Sequence, residues 1–424
     1  MADSASDRNA RARLGAFARR SREVLGLAAL VGLVTGLAVV GIEHVVDAAL
    51  DEIATWPLWA AAAIPAVGLV AAHVILRLTR IDRETTDAYI RTYHDDTKVL
   101  PVRPFPWKLL AAGVTLGSGG AVGLEAPSLY TGATIGSVAT VRLRRLLTGN
   151  HAKVLMVAGA AAGVAAIFKA PATGAVFAIE VPYRDDLGRR LLLPALVGAV
   201  SGYLALVLID GTARLFPVTG SPAFDLRDLG GAIAIGVAAG GVARAFAWLL
   251  LRAKDMADHG RPWLLVAAGG AVLAACAVAS DAVTGRPLTL GPGYEAMQWA
   301  RGPHVAVAAV AALLVLRCVA TTATIGGGGV GGLFIPLVVA GDLLGRTMGG
   351  AIGAIDTPLF SVVGIAAVLG AGYRVPLAAI MFVAETTGQP GFVVPGILAA
   401  VVAELMMGAT SVTRYQRGGS DRAG

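Results

Sequence analysis

Glu125 is the side chain with the most chemistry to offer, because of the run that surrounds it: Gly117-Ser118-Gly119-Gly120-Ala121-Val122-Gly123-Leu124-Glu125-Ala126-Pro127. A near copy, Gly326-Gly327-Gly328-Gly329-Val330-Gly331-Gly332-Leu333-Phe334-Ile335-Pro336, follows 209 residues later, and Gly132 and Gly136 recur at the same offset as Gly341 and Gly345. Each run reads as an irregular loop turning into a helix, since proline suits a first turn, where its missing N–H is not needed. A helix start leaves several N–H groups unpaired. Together with a macrodipole of about half a positive charge, they form an anion site that needs no full cation. Gly123, Leu124, Glu125 and Ala126 are expected to supply one set of amides, and Leu333 and Phe334 the other. An ionised Glu125 can fold onto such amides and take the anion's place, then let go when protonated. Burial and amide contacts pull its protonation in opposite directions. It is therefore the candidate gating glutamate and proton carrier.

A second echo sits further along each half. Lys169-Ala170-Pro171 leads to Phe177 and Glu180, and Arg374-Val375-Pro376 leads to Phe382 and Glu385, with identical spacing. Equivalent positions predict a shared structural role for the two glutamates, such as capping a neighbouring backbone. Lys169 lies in an apolar region and has two readings: an anion-attracting or proton-transferring charge in an inner vestibule, or a side chain that snorkels or pairs with a nearby carboxylate. Glu180 belongs to the same set of inner-vestibule candidates.

The elements that must hold these residues are membrane helices. The chain is 56% hydrophobic and 15% charged, against about 25% charged in ordinary soluble domains. Apolar runs of bilayer-spanning length, about 20 residues, recur at 24–42, 57–78, 154–181, 191–209, 229–251, 263–280, 303–320, 330–354, 358–384 and 391–407. The expected fold is an all-α polytopic integral membrane protein with two inverted-topology repeats and broken, re-entrant helices. Duplicated spans interrupted by glycine and proline at matching places point to a transport site near the bilayer midplane. Segment 1–23 is expected to be a cytoplasmic lead-in. Repeat one covers about 24–209 and repeat two about 229–412, with the polar stretch from Asp210 to Asp228 between them, and 413–424 is a basic tail.

The net charge of +7 gathers at the ends, in Arg8, Arg11, Arg13, Arg19, Arg20 and Arg22 and in Arg414, Arg417 and Arg422. The positive-inside rule places both termini in the cytoplasm, in a cell (plasma or inner) membrane. It reads these charges as topology signals touching lipid headgroups, not as a nucleic-acid surface. No cleavable signal is read in the Arg-rich start. Cys276 and Cys318 lie inside apolar spans without metal or disulfide spacing. The scattered histidines and the lack of an HExxH or phosphate-loop motif argue against metal catalysis and ATP-driven pumping. No cofactor or metal is expected.

These segments resemble the CLC family of chloride channels and chloride/proton exchangers. Gly123-Leu124-Glu125-Ala126-Pro127 is similar to the family's Gly-Arg/Lys-Glu-Gly-Pro, and Gly332-Leu333-Phe334-Ile335-Pro336 matches its Gly-X-Phe-X-Pro. Gly159 to Pro171 and Val375 to Glu385 look like its two alanine-proline helices. The resemblance covers about residues 24–415. It implies a homodimer with one anion pathway per subunit, chloride as the ligand, and Glu125 as the outer gating glutamate. Three departures stand out. The family's Gly-Ser-Gly-Ile-Pro anion segment has no counterpart, and the aligned stretch is Arg83-Glu84-Thr85-Thr86-Asp87, which leaves Thr85 or Thr86 as substitutes. Val181 takes the position of the exchangers' inner proton-transfer glutamate, and valine relays no protons. The pore tyrosine falls near Thr413, with Tyr415 two residues on; the choice between their hydroxyls stays open.

The leading expectation is anion transport, as a channel or a chloride/proton antiporter. The alternative is a proton- or cation-coupled carrier of a small organic solute. It predicts carboxylates in both broken helices, whereas Phe334 stands where the first half has Glu125. A membrane-embedded enzyme would need a convergent His/Asp/Ser or metal cluster, and no such pattern is present.

Overall fold

The computed structural model of the chain describes all residues except 1–2, 96, 144–151, 217–225, 303, 354–357 and 419–424, and only the backbone of 3–21. The middle of the expected polar linker, with Pro217, Gly220 and Pro222, therefore lies outside the described residues, as do Arg422 and the side chains of Arg8, Arg11, Arg13, Arg19 and Arg20. The first half holds α1 (Asp3–Ala54), α2 (Leu58–Thr79), α3 (Thr86–Tyr93), α4 (Phe105–Gly117), α5 (Glu125–Leu143), α6 (Ala152–Phe168), α7 (Pro171–Glu180) and α8 (Leu192–Asp210). The second repeats that succession in α9 (Leu226–His259), α10 (Pro262–Thr284), α11 (Tyr294–Ala300), α12 (Val307–Gly326), α13 (Phe334–Ala351), α14 (Pro358–Tyr373), α15 (Pro376–Thr387) and α16 (Val393–Met407). Among the described residues, seven helical stretches are long and apolar enough to cross a membrane.

The expected spans 154–181 and 358–384 are each broken in two, giving α6 and α7 in one half and α14 and α15 in the other. The break is the same in both. Lys169 and Arg374 turn the chain in left-handed backbone, with φ of 56° and 58°, and proline then opens the next helix. A left-handed turn reverses direction without a long loop, so α7 and α15 fold back as re-entrant pieces.

The stretch 79–153 shows no apolar span in the sequence, yet it contains α4 and α5. Helix α5 hides its polarity by local bonding. The hydroxyls of Ser128, Thr131, Thr134 and Thr140 each donate to a carbonyl four residues back, so they add no orphan donors in an apolar setting. The helix packs on α6 through small residues, as α13 does on α14. A Cβ on Gly132 would lie 1.9 Å from the Gly159 carbonyl oxygen, and one on Gly341 2.4 Å from that of Gly364. This close approach is how helices associate in lipid, where apolar contact alone gives little preference.

Candidate functional site

The two duplicated loops face each other. Gly123 N donates to Gly332 O at 2.9 Å, and Gly332 N donates to Gly123 O at 2.7 Å, forming an isolated antiparallel bridge between the halves. The contacts on either side are reciprocal: Ala121 N donates to Thr324 Oγ1 (3.1 Å) and Val330 N to Thr115 Oγ1 (3.2 Å). A contact that runs from each half to the other with the roles swapped is the mark of a twofold relation. The helix starts of α5 and α13 are thereby held side by side.

Glu125 opens α5 and reaches across this bridge. Its Oε1 accepts the Phe334 amide at the start of α13, at 2.5 Å. The residue is 1% exposed, and its Oε2 is buried without a hydrogen bond. Glycine on both sides makes room for it. A Cβ on Gly123 would come within 1.8 Å of Oε2, and one on Gly332 within 2.0 Å of Oε1. Behind Glu125 the Phe334 ring packs on Phe168, Phe382 and Phe177, at centroid distances of 4.3, 5.0 and 5.2 Å. One wall of the slot is therefore dry and rigid, and the donors come from backbone.

A cavity of about 60 Å³, room for a small anion or a few waters, adjoins this slot; Thr85, Thr86, Leu333 and Thr413 all line it. Three elements far apart in sequence thus meet at one space. Tyr373, the last residue of α14, is the functional side chain that sequence reasoning missed. It lines the same cavity, is buried, and its hydroxyl accepts the Leu333 amide at 3.4 Å. The signal was a lone tyrosine at the end of an apolar run, hidden because 358–384 reads as one continuous span.

Several candidate residues are placed differently from expectation. Gly123 commits its N–H to the Gly332 carbonyl, so it shapes the slot instead of donating to an anion. Leu124 and Ala126, by contrast, flank Glu125 at the start of α5 as expected, and both are buried. Tyr415 is 36% exposed and directs its hydroxyl toward Glu84 at 3.4 Å, outside the cavity that Thr413 lines. Lys169 does not share a vestibule with Glu180 and Val181. It precedes α7, whose 10 residues span about 15 Å, and Glu180 and Val181 lie at the far end. Its electrostatic neighbours are Glu43 and Asp47 of α1, in keeping with the second reading, a lysine close to carboxylates.

Glu180 is a cap. It accepts the amides of Leu377 and Ala378 at the start of α15, at 3.0 and 2.8 Å. Glu385 returns the contact, accepting Ala172 and Thr173 at the start of α7, at 2.8 and 2.7 Å. Val181 is fully buried, and its carbonyl accepts from Gln416 Nε2 at 2.9 Å. Arg317 ties down a loop by donating to the carbonyls of Thr289, Gly291 and Pro292.

Two inverted repeats with apposed helix starts, a carboxylate lodged between them and a small cavity alongside define a membrane protein built to pass a small ion. The chain belongs to the voltage gated chloride channel family, whose profile matches residues 66–408. It is 27% identical over 412 residues to the H(+)/Cl(-) exchange transporter ClcA of Salmonella paratyphi A, covering 90% of this chain and 85% of that one. It is 28% identical to the ClcA of Citrobacter koseri over the same coverage. Among solved structures, a slow cyanobacterial Cl−/H+ antiporter matches with a TM-score of 0.79 at 21% identity, over 91% of this chain and 94% of that chain. A CLC-type fluoride/proton antiporter matches with a TM-score of 0.80 at 21% identity, over 94% and 98%.

Proposed function

We propose that this protein moves small inorganic anions across a membrane through the slot between α5 and α13, with Glu125 as a protonatable gate. One observation carries the reading: the Glu125 carboxylate of one half occupies the first amide of the other half's helix, where a free anion would sit. Such a donor favours negative charge without fixing a counter-ion in place. The relatives' names support chloride as the ion, and one structural neighbour is named for fluoride. Thr85, Thr86, Thr413 and Tyr373 supply hydroxyls around the cavity, and the amides of Leu333 and Phe334 supply its backbone donors. The protein works as a homodimer in the cell membrane, with both termini cytoplasmic, which puts the Thr85–Thr413 cavity on the inner side. The family resemblance and the basic ends support that orientation. Reconstitution into liposomes with ion-selective electrodes for chloride and fluoride tests the reading. No flux of either ion above protein-free vesicles would overturn it.

Two expected results follow. Val181 gives no proton relay on the inner side, so uphill proton movement driven by a chloride gradient should be weak or absent in the wild type. Robust pumping at a fixed ratio would show another relay at work. Gly332→Ala places a methyl group where Glu125 Oε1 now lies. The carboxylate must leave, and flux should lose its pH dependence although Glu125 is still present. A variant with the wild-type pH profile would mean that the carboxylate does not gate from this slot.

A further inference from the structure

The inner cavity carries a cation that neither the sequence motifs nor the duplicated loops account for. Lys254, near the end of α9, lines it together with Asp87, Leu333, Tyr373 and Thr413. Its ammonium donates to Asp87 Oδ2 at 2.7 Å and to the Val412 carbonyl at 2.9 Å. An ammonium has three donors, so one N–H remains beyond those two bonds. Asp87 is held in turn by the Arg414 amide at 3.1 Å. The other charges at this mouth form a separate group. Arg83 pairs with Asp258 at 3.6 Å and donates to the Ala257 carbonyl, Arg414 pairs with Asp255 and Asp258, and Glu84 pairs with Arg91. Of the three cations lining the cavity, Lys254 is the least exposed, at 17% against 28% for Arg83 and 22% for Arg414. It is also the one whose single carboxylate partner sits at the first turn of α3, in the stretch that replaces the neutral anion-binding segment.

We propose that Lys254 is an anion ligand at the inner mouth, donating its third N–H to the ion, and that Asp87 is the positioning residue that tunes how strongly it does so. The assignment rests on the anion-transport reading above. A lysine held by one carboxylate and one carbonyl is fixed in direction, and its charge is offset enough to survive burial without an ion. When an anion arrives, the ammonium keeps both bonds and adds a third, with no reorganisation of the cavity wall. A point charge with rotatable donors suits a small spherical ion, unlike the planar fork of arginine.

Calorimetric titration of chloride, and separately fluoride, into the full-length detergent-solubilised protein tests this. For whichever ion the wild type binds, Lys254→Met should weaken affinity by about tenfold or more, the scale of a lost hydrogen bond to a charged group. Asp87→Asn should tighten it by about threefold, since a negative charge next to the ammonium is removed. A pair serving only the fold would move both variants in the same direction, and that result, or no change in either, overturns the proposal. Should Lys254→Met fail to fold, the double variant Lys254→Met/Asp87→Asn leaves no unpaired charge. Affinity at least about tenfold weaker than Asp87→Asn alone supports the ligand role, and equal affinity overturns it. Wild type that binds and transports neither ion would overturn the anion reading itself and Lys254 with it. Normal wild-type binding with unaffected variants sinks only this assignment.

Discussion

Replacing Glu125 with glutamine is expected to make anion flux independent of pH and to abolish any coupled proton movement. In the wild type the ionised carboxylate fills the slot and accepts the Phe334 amide, a charge-assisted contact worth about 1.5–3 kcal/mol. Protonation removes the charge that holds it there. Flux should therefore rise as the pH falls, by up to about tenfold per pH unit while the group titrates. Glutamine has the same shape and no charge at any pH, so the amide is open to an anion throughout. The slot has no second carboxylate, because Phe334 stands at the equivalent position of the other half. The test is efflux from liposomes between acid and neutral pH, with protons followed in the same vesicles. A glutamine variant that keeps the wild-type slope would place the pH sensor elsewhere.

How much of this was legible in the chain follows from where each feature stores its information. The loops meet because the same local grammar occurs twice: glycines for close approach, proline for the helix start, and a fixed 209-residue offset. The first two are short-range signals and the third marks a duplication, so the facing of the two helix starts and the folding of Glu125 onto amides were readable, whereas the Gly123–Gly332 bridge was not. The capping role of Glu180 and Glu385 was readable for the same reason. The start of α5 at the first duplicated run was readable too, but α4 and the membrane-buried length of α5 were not. Hydropathy counts hydroxyls as polar and cannot see that Ser128, Thr131 and Thr134 bond their own helix. The left-handed breaks at Lys169 and Arg374 hid inside apolar runs, since neither residue type advertises positive φ. That also misplaced Lys169, because a single helix and a folded-back pair put its side chain at different ends of the molecule. The cavity was the least legible part. Asp87, Lys254, Tyr373 and Thr413 come from four separate elements, and only the packing of α3, α9 and α14 around the last segment brings them together.

Glu385→Ala is expected to lower stability by about 2–4 kcal/mol, and Glu180→Ala by somewhat less. Each carboxylate satisfies two first-turn amides of a helix belonging to the other half. Those helices start with proline on an apolar residue, and neither has a side-chain cap of its own. Truncation would leave two first-turn N–H groups without a protein partner, each costing up to about 1–3 kcal/mol, less what relaxation and solvent recover. Glu385 should matter more because it also accepts the Thr173 hydroxyl at 2.6 Å, a bond with no counterpart at Glu180. The pair is reciprocal, so losing one cap loosens a helix in the opposite repeat, and the two substitutions should combine with less than full additivity through the shared α7–α15 contact. Unfolding midpoints in detergent would measure this, with Val181→Ala as a neighbouring control. The same experiment decides between cap and carrier for Glu180. A Glu180→Ala protein of wild-type stability that had lost proton coupling would make this carboxylate part of the transport route, and the symmetry with Glu385 would then be incidental.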